Sequence, residues 1–137
     1  GERLPKTGKI FISVNKLDKI KIIPIARDFQ ELGFEIVATQ GTSDLLSENG
    51  ILTNSIFKVG EGRPNVVDAI KNGEIQLVIN TPLGAQSRFD EYEIGRASIR
   101  YKVIVITTIS GAQAAVRGIR NLKSKTINYQ SLQEIFA

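Results

Sequence analysis

The segment Gln76-Leu-Val-Ile-Asn80 is a short, almost uninterrupted apolar run, and Lys102-Val-Ile-Val-Ile-Thr107 repeats this pattern farther along the chain. Strands that helices cover on both faces have such continuous hydrophobicity, whereas half-exposed strands alternate apolar and polar residues. The two runs therefore predict central or near-central strands of a mainly parallel sheet.

Three further runs rich in β-branched and aromatic residues precede these two, and helical patterns separate all five runs. This alternation is typical of βαβ units around a parallel sheet. The sequence therefore predicts an α/β fold in which helices cover both faces of a central, mainly parallel, five-stranded sheet. The additional strands are predicted at Lys9–Val14, Phe34–Ala38 and Ser55–Val59.

The length of 137 residues suits a single domain with one sizeable core. The first eight residues combine Pro5 with two glycines and several polar side chains, which is typical of a linker. We therefore expect residues 1–8 to be a linker from a larger chain and residues 9–137 to form the domain.

Capping residues, glycines and prolines predict where the helices begin and end. Asp18 is a candidate N-cap for a first helix that stops before Gly33, although Pro24 would interrupt its hydrogen bonding. Thr42 or Ser43 is predicted to cap a second helix. Asn49-Gly50 is predicted to end the second helix, and a third helix should begin with Pro64 and end at Asn72-Gly73. Two more helices are predicted over about Glu91–Arg100 and Ala112–Leu122. A capping box of Ser131 and Glu134 should open a final short helix.

The composition excludes several classes of function. The chain has no cysteine and no histidine, so thiolate metal sites, disulfides and the commonest general base are absent, and we expect no metal or cofactor. No apolar run approaches the roughly 20 residues that cross a bilayer, and no signal peptide is evident, so we expect a cytoplasmic protein. The net charge of +4 is spread along the chain and aromatic residues make up only 7%, which does not favour nucleic acid.

Polar residues that suit an anion recur directly after the predicted strands. Parallel sheets bind ligands at the carboxyl ends of their strands, so these residues should surround one crevice. In Thr39-Gln-Gly-Thr42, Gly41 allows a ligand to approach the backbone, and Thr42 opens a helix whose free N–H groups favour negative charge. Alternatively, such threonines are only helix caps and the lysines only solvated. The candidate binding residues are Lys19, Thr39, Gly41, Thr42, Lys58, Asn80, Thr81, Thr107 and Thr108.

Other motifs carry weaker signals. Gly60-Glu-Gly-Arg63 lacks the spacing of a phosphate loop, and no dinucleotide fingerprint follows any strand. Asp90, Glu91 and Glu93 fall at the start of a predicted helix, where carboxylates usually complement the helix dipole. The basic cluster Arg117, Arg120, Lys123 and Lys125 is likewise expected near a helix C-terminus, although it also suits a partner surface.

Several segments resemble the methylglyoxal-synthase-like (MGS-like) regulatory domain of carbamoyl-phosphate synthetases, over nearly the whole chain. They are Phe11-Ile-Ser-Val14, Ala38-Thr-Gln-Gly-Thr42, Lys58-Val-Gly-Glu-Gly-Arg-Pro64, Lys71-Asn-Gly-Glu74, Val78-Ile-Asn80 and Tyr101-Lys-Val103. The resemblance implies a three-layer, Rossmann-like fold at the C-terminus of the large subunit of an ATP-dependent ligase of arginine and pyrimidine synthesis. It also implies that Leu4-Pro5 is the junction to the synthetase domains, and that these domains and a glutaminase small subunit are the partners.

The resemblance further implies a regulatory nucleotide, UMP or IMP, in the crevice. The matching residues would be Lys19, Thr39, Thr42, Lys58 and Asn80, around the phosphate and ribose. Relatives that respond to N-acetylglutamate place an aromatic residue where Lys58 stands. An ornithine site in some members would fall at Val105 and Thr107, but Val105 has no hydroxyl, and Pro82 replaces a further threonine.

Two rival functions stay open. Methylglyoxal synthase shares the implied fold, but its catalytic aspartate would correspond to Arg63, and its histidine and second aspartate to Phe89 and Tyr92. No positioned base remains, and general acid–base catalysis needs one, so the comparison implies a non-catalytic domain without catalytic residues. A related cyclohydrolase has a Lys-Thr-Leu-His-Pro-type segment that this chain lacks. The second rival is a nucleic-acid or interaction module that uses the basic cluster Arg117–Lys125.

Overall fold

The structure of the chain is a computed structural model that describes residues 4–82 and 88–136, with the backbone alone for Arg88 and residues 126–136. Five parallel strands form one sheet in the order β3-β2-β1-β4-β5. The strands are β1 (Lys9–Ser13), β2 (Glu35–Ala38), β3 (Thr53–Ser55), β4 (Leu77–Asn80) and β5 (Ile104–Ile106). This confirms the predicted α/β fold with a five-stranded sheet.

In the described part of the chain, five α-helices connect and cover these strands. They are α1 (Lys19–Glu31), α2 (Gln40–Glu48), α3 (Val66–Lys71), α4 (Arg88–Arg100) and α5 (Ile109–Phe136), and a 3-10 turn (Lys16–Asp18) precedes α1. Side chains of α1, α2 and α5 pack in one apolar core, and those of α3 and α4 pack in a second. The domain therefore has three layers, as predicted.

The alternation of side chains along the buried strands creates these two cores. In β1, Ile10 and Ile12 face the core of α1 and α5, whereas Phe11 faces that of α3 and α4, and all three are fully buried. In β4, Ile79 faces the core of α1 and α5, and Val78 faces that of α3 and α4. Because both faces are covered, β1 and β4 are apolar at most positions, whereas β3 at the sheet edge is polar throughout.

Two strand predictions were wrong in detail. β5 is an edge strand rather than a near-central one. It is continuously hydrophobic because helices cover both of its faces, and this does not require a neighbouring strand on each side. β3 ends at Ser55, whereas the prediction placed the strand at Ser55–Val59. After the Ile56 N–H bonds the Ala38 carbonyl at 2.9 Å, the chain leaves the sheet, and Phe57 makes an isolated bridge to Asn65.

Several helix ends also differ from the prediction. α2 begins at Gln40 after Thr39, so neither Thr42 nor Ser43 is its N-cap. α3 begins at Val66 because Asn65 forms a capping box with Asp68, and this places Pro64 before the cap rather than inside the helix.

The last predicted helix does not exist separately, since α5 runs without interruption through Ser131 and Glu134. No glycine or proline follows Gly118, so nothing ends α5 before the predicted capping box. The first helix does run through Pro24, which lies on its exposed side. The predicted ends at Gly33, Asn49-Gly50 and Asn72-Gly73 are confirmed, while residues 1–3 of the predicted linker lie outside the described residues.

Candidate functional site

An open crevice of about 520 Å³ lies at the carboxyl ends of β1 and β2. We call this space the outer crevice, and its lining includes Asn15, Lys19, Thr39, Gly41, Thr42 and Lys58. It lies at the edge of the sheet where parallel α/β folds bind their ligands.

The first turn of α2 forms one wall of the outer crevice. The first intrahelical bond runs from the Ser43 N–H to the Thr39 carbonyl at 2.8 Å, so the N–H groups of Gln40, Gly41 and Thr42 precede the hydrogen-bonded ladder. Such free N–H groups and the helix dipole favour an anion. The Lys19 ammonium lies over this turn, because a Cβ placed on Gly41 would be 3.6 Å from Lys19 Nζ.

Two threonine hydroxyls accompany these N–H groups. Thr39 and Thr42 are buried, with 5% and 3% of their surface exposed, and Thr39 makes no side-chain cap bond. Among the described residues every fully buried side-chain oxygen or nitrogen has a partner, and neither hydroxyl bonds to a described residue. Both side chains line the outer crevice, where their hydroxyl groups can serve a ligand.

A second, inner pocket adjoins the outer crevice and shares Ser13, Thr39 and Lys58 with it. Its other walls are mainly apolar: Phe11, Val59, Val66 and Ile94, with Asn80, Asp90 and Glu91 as the polar members. The free volume is about 10 Å³, which is enough for about one water molecule. Any larger group can enter only if these walls move apart.

Asp90 is the functional candidate that the sequence analysis missed. Burial raises its pKa above the usual range, an effect that the nearby Lys58 ammonium opposes and the carboxylates of Glu61 and Glu91 reinforce. Its place in the first turn of α4 agrees with the predicted dipole role. The sequence did contain one signal for Asp90, because this turn begins at the same edge of the sheet as the outer crevice.

The other predicted binding residues do not all reach these two spaces. Asn80 lines the inner pocket, but the Thr81 hydroxyl accepts the Asn15 N–H at 2.9 Å and is buried in the structure. Thr108 accepts the Gly111 N–H at 3.0 Å and so caps α5. Thr107 and Thr108 are both exposed, and neither of them lines the outer crevice or the inner pocket. Of the predicted set, only Lys19, Thr39, Gly41, Thr42, Lys58 and Asn80 lie together.

The positions that match the methylglyoxal synthase catalytic groups lie outside both spaces. Arg63 pairs with Asp68 at 3.4 Å, while Phe89 and Tyr92 are 65% and 63% exposed. Among the side chains that the structure describes, those of residues 4–82 and 89–125, no cluster of three or more potential metal ligands occurs. No described helix is both long and apolar enough to cross a membrane.

The basic cluster on α5 is partly used inside the domain. Arg120 lies 3.9 Å from the Asp28 carboxylate, and Lys123 donates to the Leu32 carbonyl while its ammonium lies 5.6 Å from the centre of the Phe34 ring. These contacts fasten α5 to the end of α1 and to the segment that follows it. These contacts explain two of the four cations, so no partner molecule is needed to account for these two.

Residues 21–107 match the MGS-like domain family. The chain is 46% identical to the carbamoyl phosphate synthase large chain of Nostoc sp. and 49% identical to that of Archaeoglobus fulgidus, in each case over 98% of this chain and 12% of the relative. It is 46% identical to the C-terminal section of the large chain of Aquifex aeolicus, over 99% of this chain and 26% of that protein. The chain thus spans about an eighth of the full-length relatives.

The fold also resembles that of a solved protein, methylglyoxal synthase from Elizabethkingia anophelis. The TM-score is 0.64 over 82% of this chain and 79% of that one, at 14% sequence identity. At this identity the likeness concerns the fold alone, and it supports the Rossmann-like, three-layer architecture.

Proposed function

The chain belongs to the MGS-like domain family, and on that premise we propose that it is the allosteric, effector-binding domain of a cytoplasmic carbamoyl phosphate synthase large chain. The proposed effector is a nucleoside monophosphate such as UMP or IMP. Residues 1–8 would be the linker to the synthetase domains, which with a glutaminase small subunit would be its protein partners. The ATP-dependent ligase chemistry would then belong to the rest of the large chain.

The observation that carries this proposal is the donor set of the outer crevice. The free N–H groups of α2, the hydroxyls of Thr39 and Thr42, and the ammonium groups of Lys19 and Lys58 surround one space. All of these groups donate hydrogen bonds, and two carry positive charge, which matches a phosphate better than a neutral or cationic ligand. We assign the phosphate of the effector to this space.

The inner pocket suits the remainder of a nucleotide. Asn80 and Asp90 could bond sugar hydroxyls, while Val59, Val66 and Ile94 offer an apolar surface to a base. Because the pocket has only about 10 Å³ of free space, a nucleoside would have to separate α3 and α4 from the sheet or displace the loop that carries Val59. Binding and a conformational change would therefore be coupled, as regulation requires.

A rival activity draws support from one observation. Asp90 is a carboxyl group whose burial-raised pKa and position beside a phosphate crevice would suit a general base, as in an enzyme of the methylglyoxal synthase type acting on dihydroxyacetone phosphate. Against it, the positions that match the catalytic groups of that enzyme are Arg63, Phe89 and Tyr92. We therefore favour the binding function.

Calorimetric titration with UMP and IMP in phosphate-free buffer tests the proposal. We expect binding of at least one nucleotide, and Lys58→Ala should weaken it by about 1–3 kcal/mol, the value of a charge-assisted hydrogen bond. Lys21→Ala, which removes an exposed lysine of α1 that lines neither space, is the matched control and should bind as the unaltered chain does. No binding of either nucleotide would refute the proposal, and turnover of dihydroxyacetone phosphate above a blank would establish the rival.

A further inference from the structure

A third lysine, Lys16, lines the outer crevice together with Lys19 and Lys58. Among the described residues no carboxylate lines this crevice, and no ion pair joins Lys16 or Lys19 to a described carboxylate. Lys58 differs from them, because Asp90 of the inner pocket lies near its ammonium group. The outer crevice therefore contains two ammonium groups whose charge no described ion pair balances.

The backbone places Lys16 and Lys19 on the same side of one helical path. The 3-10 turn Lys16–Asp18 continues directly into α1, which begins at Lys19. Residues three apart on such a path are neighbours, and like charges at this spacing repel each other. Both side chains nevertheless line the same crevice. An anion that contacts both ammonium groups would relieve this repulsion.

A phosphoryl group at the first turn of α2 has enough hydrogen-bond donors without Lys16. The N–H groups of that turn precede the hydrogen-bonded ladder, and the Lys19 ammonium lies over the turn. Thr39 and Thr42 line the crevice with 5% and 3% of their surface exposed, and neither hydroxyl bonds to a described residue. Because buried polar groups normally have a partner, these two hydroxyls are an independent indication of a ligand at this turn. Lys16 is left as a further cation in the same space.

The free volume of the outer crevice also exceeds what one phosphoryl group needs. It is about 520 Å³, whereas the inner pocket has about 10 Å³. Sites that hold a whole small ligand have volumes of about 300–1,000 Å³. A second phosphoryl group would therefore occupy space and meet charge that already exist, and preformed sites bind with a smaller ordering cost.

We propose that the outer crevice binds a diphosphate group, with one phosphoryl group at the first turn of α2 and the other at Lys16. This inference rests on the proposed function and refines its ligand class, from one phosphoryl group to two linked ones. A phosphomonoester carries about −1.5 to −2 charges at pH 7, and a second phosphoryl group adds negative charge that Lys16 would balance. A nucleoside diphosphate and a diphosphate on another carrier share this chemistry. In the former, the nucleoside would enter the inner pocket past Lys58, which lines both spaces.

Calorimetric titrations of the 137-residue chain in buffer free of magnesium and phosphate compare UMP with UDP, and inorganic phosphate with pyrophosphate. We expect UDP to bind about fivefold more tightly than UMP, and pyrophosphate to exceed phosphate by a similar factor, which is the effect of one exposed charge-assisted contact. Lys16→Gln should bring the ratio of UDP to UMP affinity close to one. Lys16→Arg keeps the charge and should keep most of the ratio. Lys21→Gln, which changes an exposed lysine that lines neither space, is the matched control and should keep all of it.

The outcomes separate this inference from the effector assignment. Equal affinity for UMP and UDP would overturn the diphosphate inference and leave the effector assignment intact. A preference for UDP that survived Lys16→Gln would overturn the role of Lys16. If pyrophosphate bound more tightly than phosphate but neither nucleotide bound, the effector assignment would fail and the diphosphate would belong to another carrier. Denaturant melts of Lys16→Gln should match those of the unaltered chain, because the side chain is exposed and forms no ion pair with a described carboxylate.

Discussion

Replacing Thr42 by valine separates the binding role of its hydroxyl from any structural role. The side chain is buried at the third position of α2, and the N-cap position belongs to Thr39, so the hydroxyl contributes no cap. Valine keeps the volume and has a similar helix propensity. The free energy of unfolding should therefore change by less than about 1 kcal/mol, since the lost hydroxyl bonds no described residue. A hydrogen bond to a charged group contributes about 1.5–3 kcal/mol, so affinity for UMP or IMP should fall by about 10- to 150-fold.

Denaturant melts and calorimetric titrations of Thr42→Val and Thr42→Ser measure both quantities. Serine keeps the hydroxyl and should retain most of the affinity, although it leaves a methyl-sized gap in the buried wall. Equal affinity of Thr42→Val and the unaltered chain would show that the hydroxyl does not contact the ligand. If serine lost as much affinity as valine, the methyl group and not the hydroxyl would be the important feature.

Three further predictions concern stability. The pKa of Asp90 is raised in the folded state, so ionisation of this carboxyl group opposes folding as the pH rises. Asp90→Asn should therefore be more stable than the unaltered chain at pH 7. This advantage should disappear as the pH falls toward 3.8, the ordinary pKa of an aspartate. Urea melts across that range check the sign, and an advantage that grew at low pH would contradict it. Asn65→Ala removes the acceptor of the Val67 and Asp68 N–H groups and should cost about 0.5–2 kcal/mol, whereas Asn65→Ser should restore most of the loss in thermal melts. Lys102 follows the end of α4 with a φ of 59°, a left-handed conformation that strains residues other than glycine. Lys102→Gly should therefore raise the free energy of unfolding by up to about 1 kcal/mol, and Lys102→Val should lower it. The reverse order of stabilities would show that the backbone is not strained at this position.

The amino-acid pattern was sufficient to predict the sheet and the location of the crevice. Continuous apolar runs between helical segments allow few arrangements other than a parallel sheet covered on both faces. Such a sheet brings the carboxyl ends of its strands to one edge, and this is why Lys19, Thr39, Gly41, Thr42, Lys58 and Asn80 could be grouped from the sequence. Their role in binding stays a prediction.

Local patterns did not determine what each polar group contacts. Thr81 follows β4 just as Thr39 follows β2, yet its hydroxyl is taken by the N–H of Asn15, which lies 66 residues away in sequence. Asp90 looked like an ordinary residue of a helix start, and only the packing of α4 beside the loop of Lys58 placed it in the inner pocket.

The sequence by itself therefore determined the layers of the fold and the edge of the sheet that carries the crevice, because both depend on hydrophobic periodicity within a few residues. The tertiary structure alone decided that β5 lies at an edge, that Thr81 and Thr108 accept hydrogen bonds from backbone N–H groups, and that Asp90 lines the inner pocket. The physical reason is that these features depend on strand order and helix placement, which join segments far apart in the chain and are fixed only when both cores pack together.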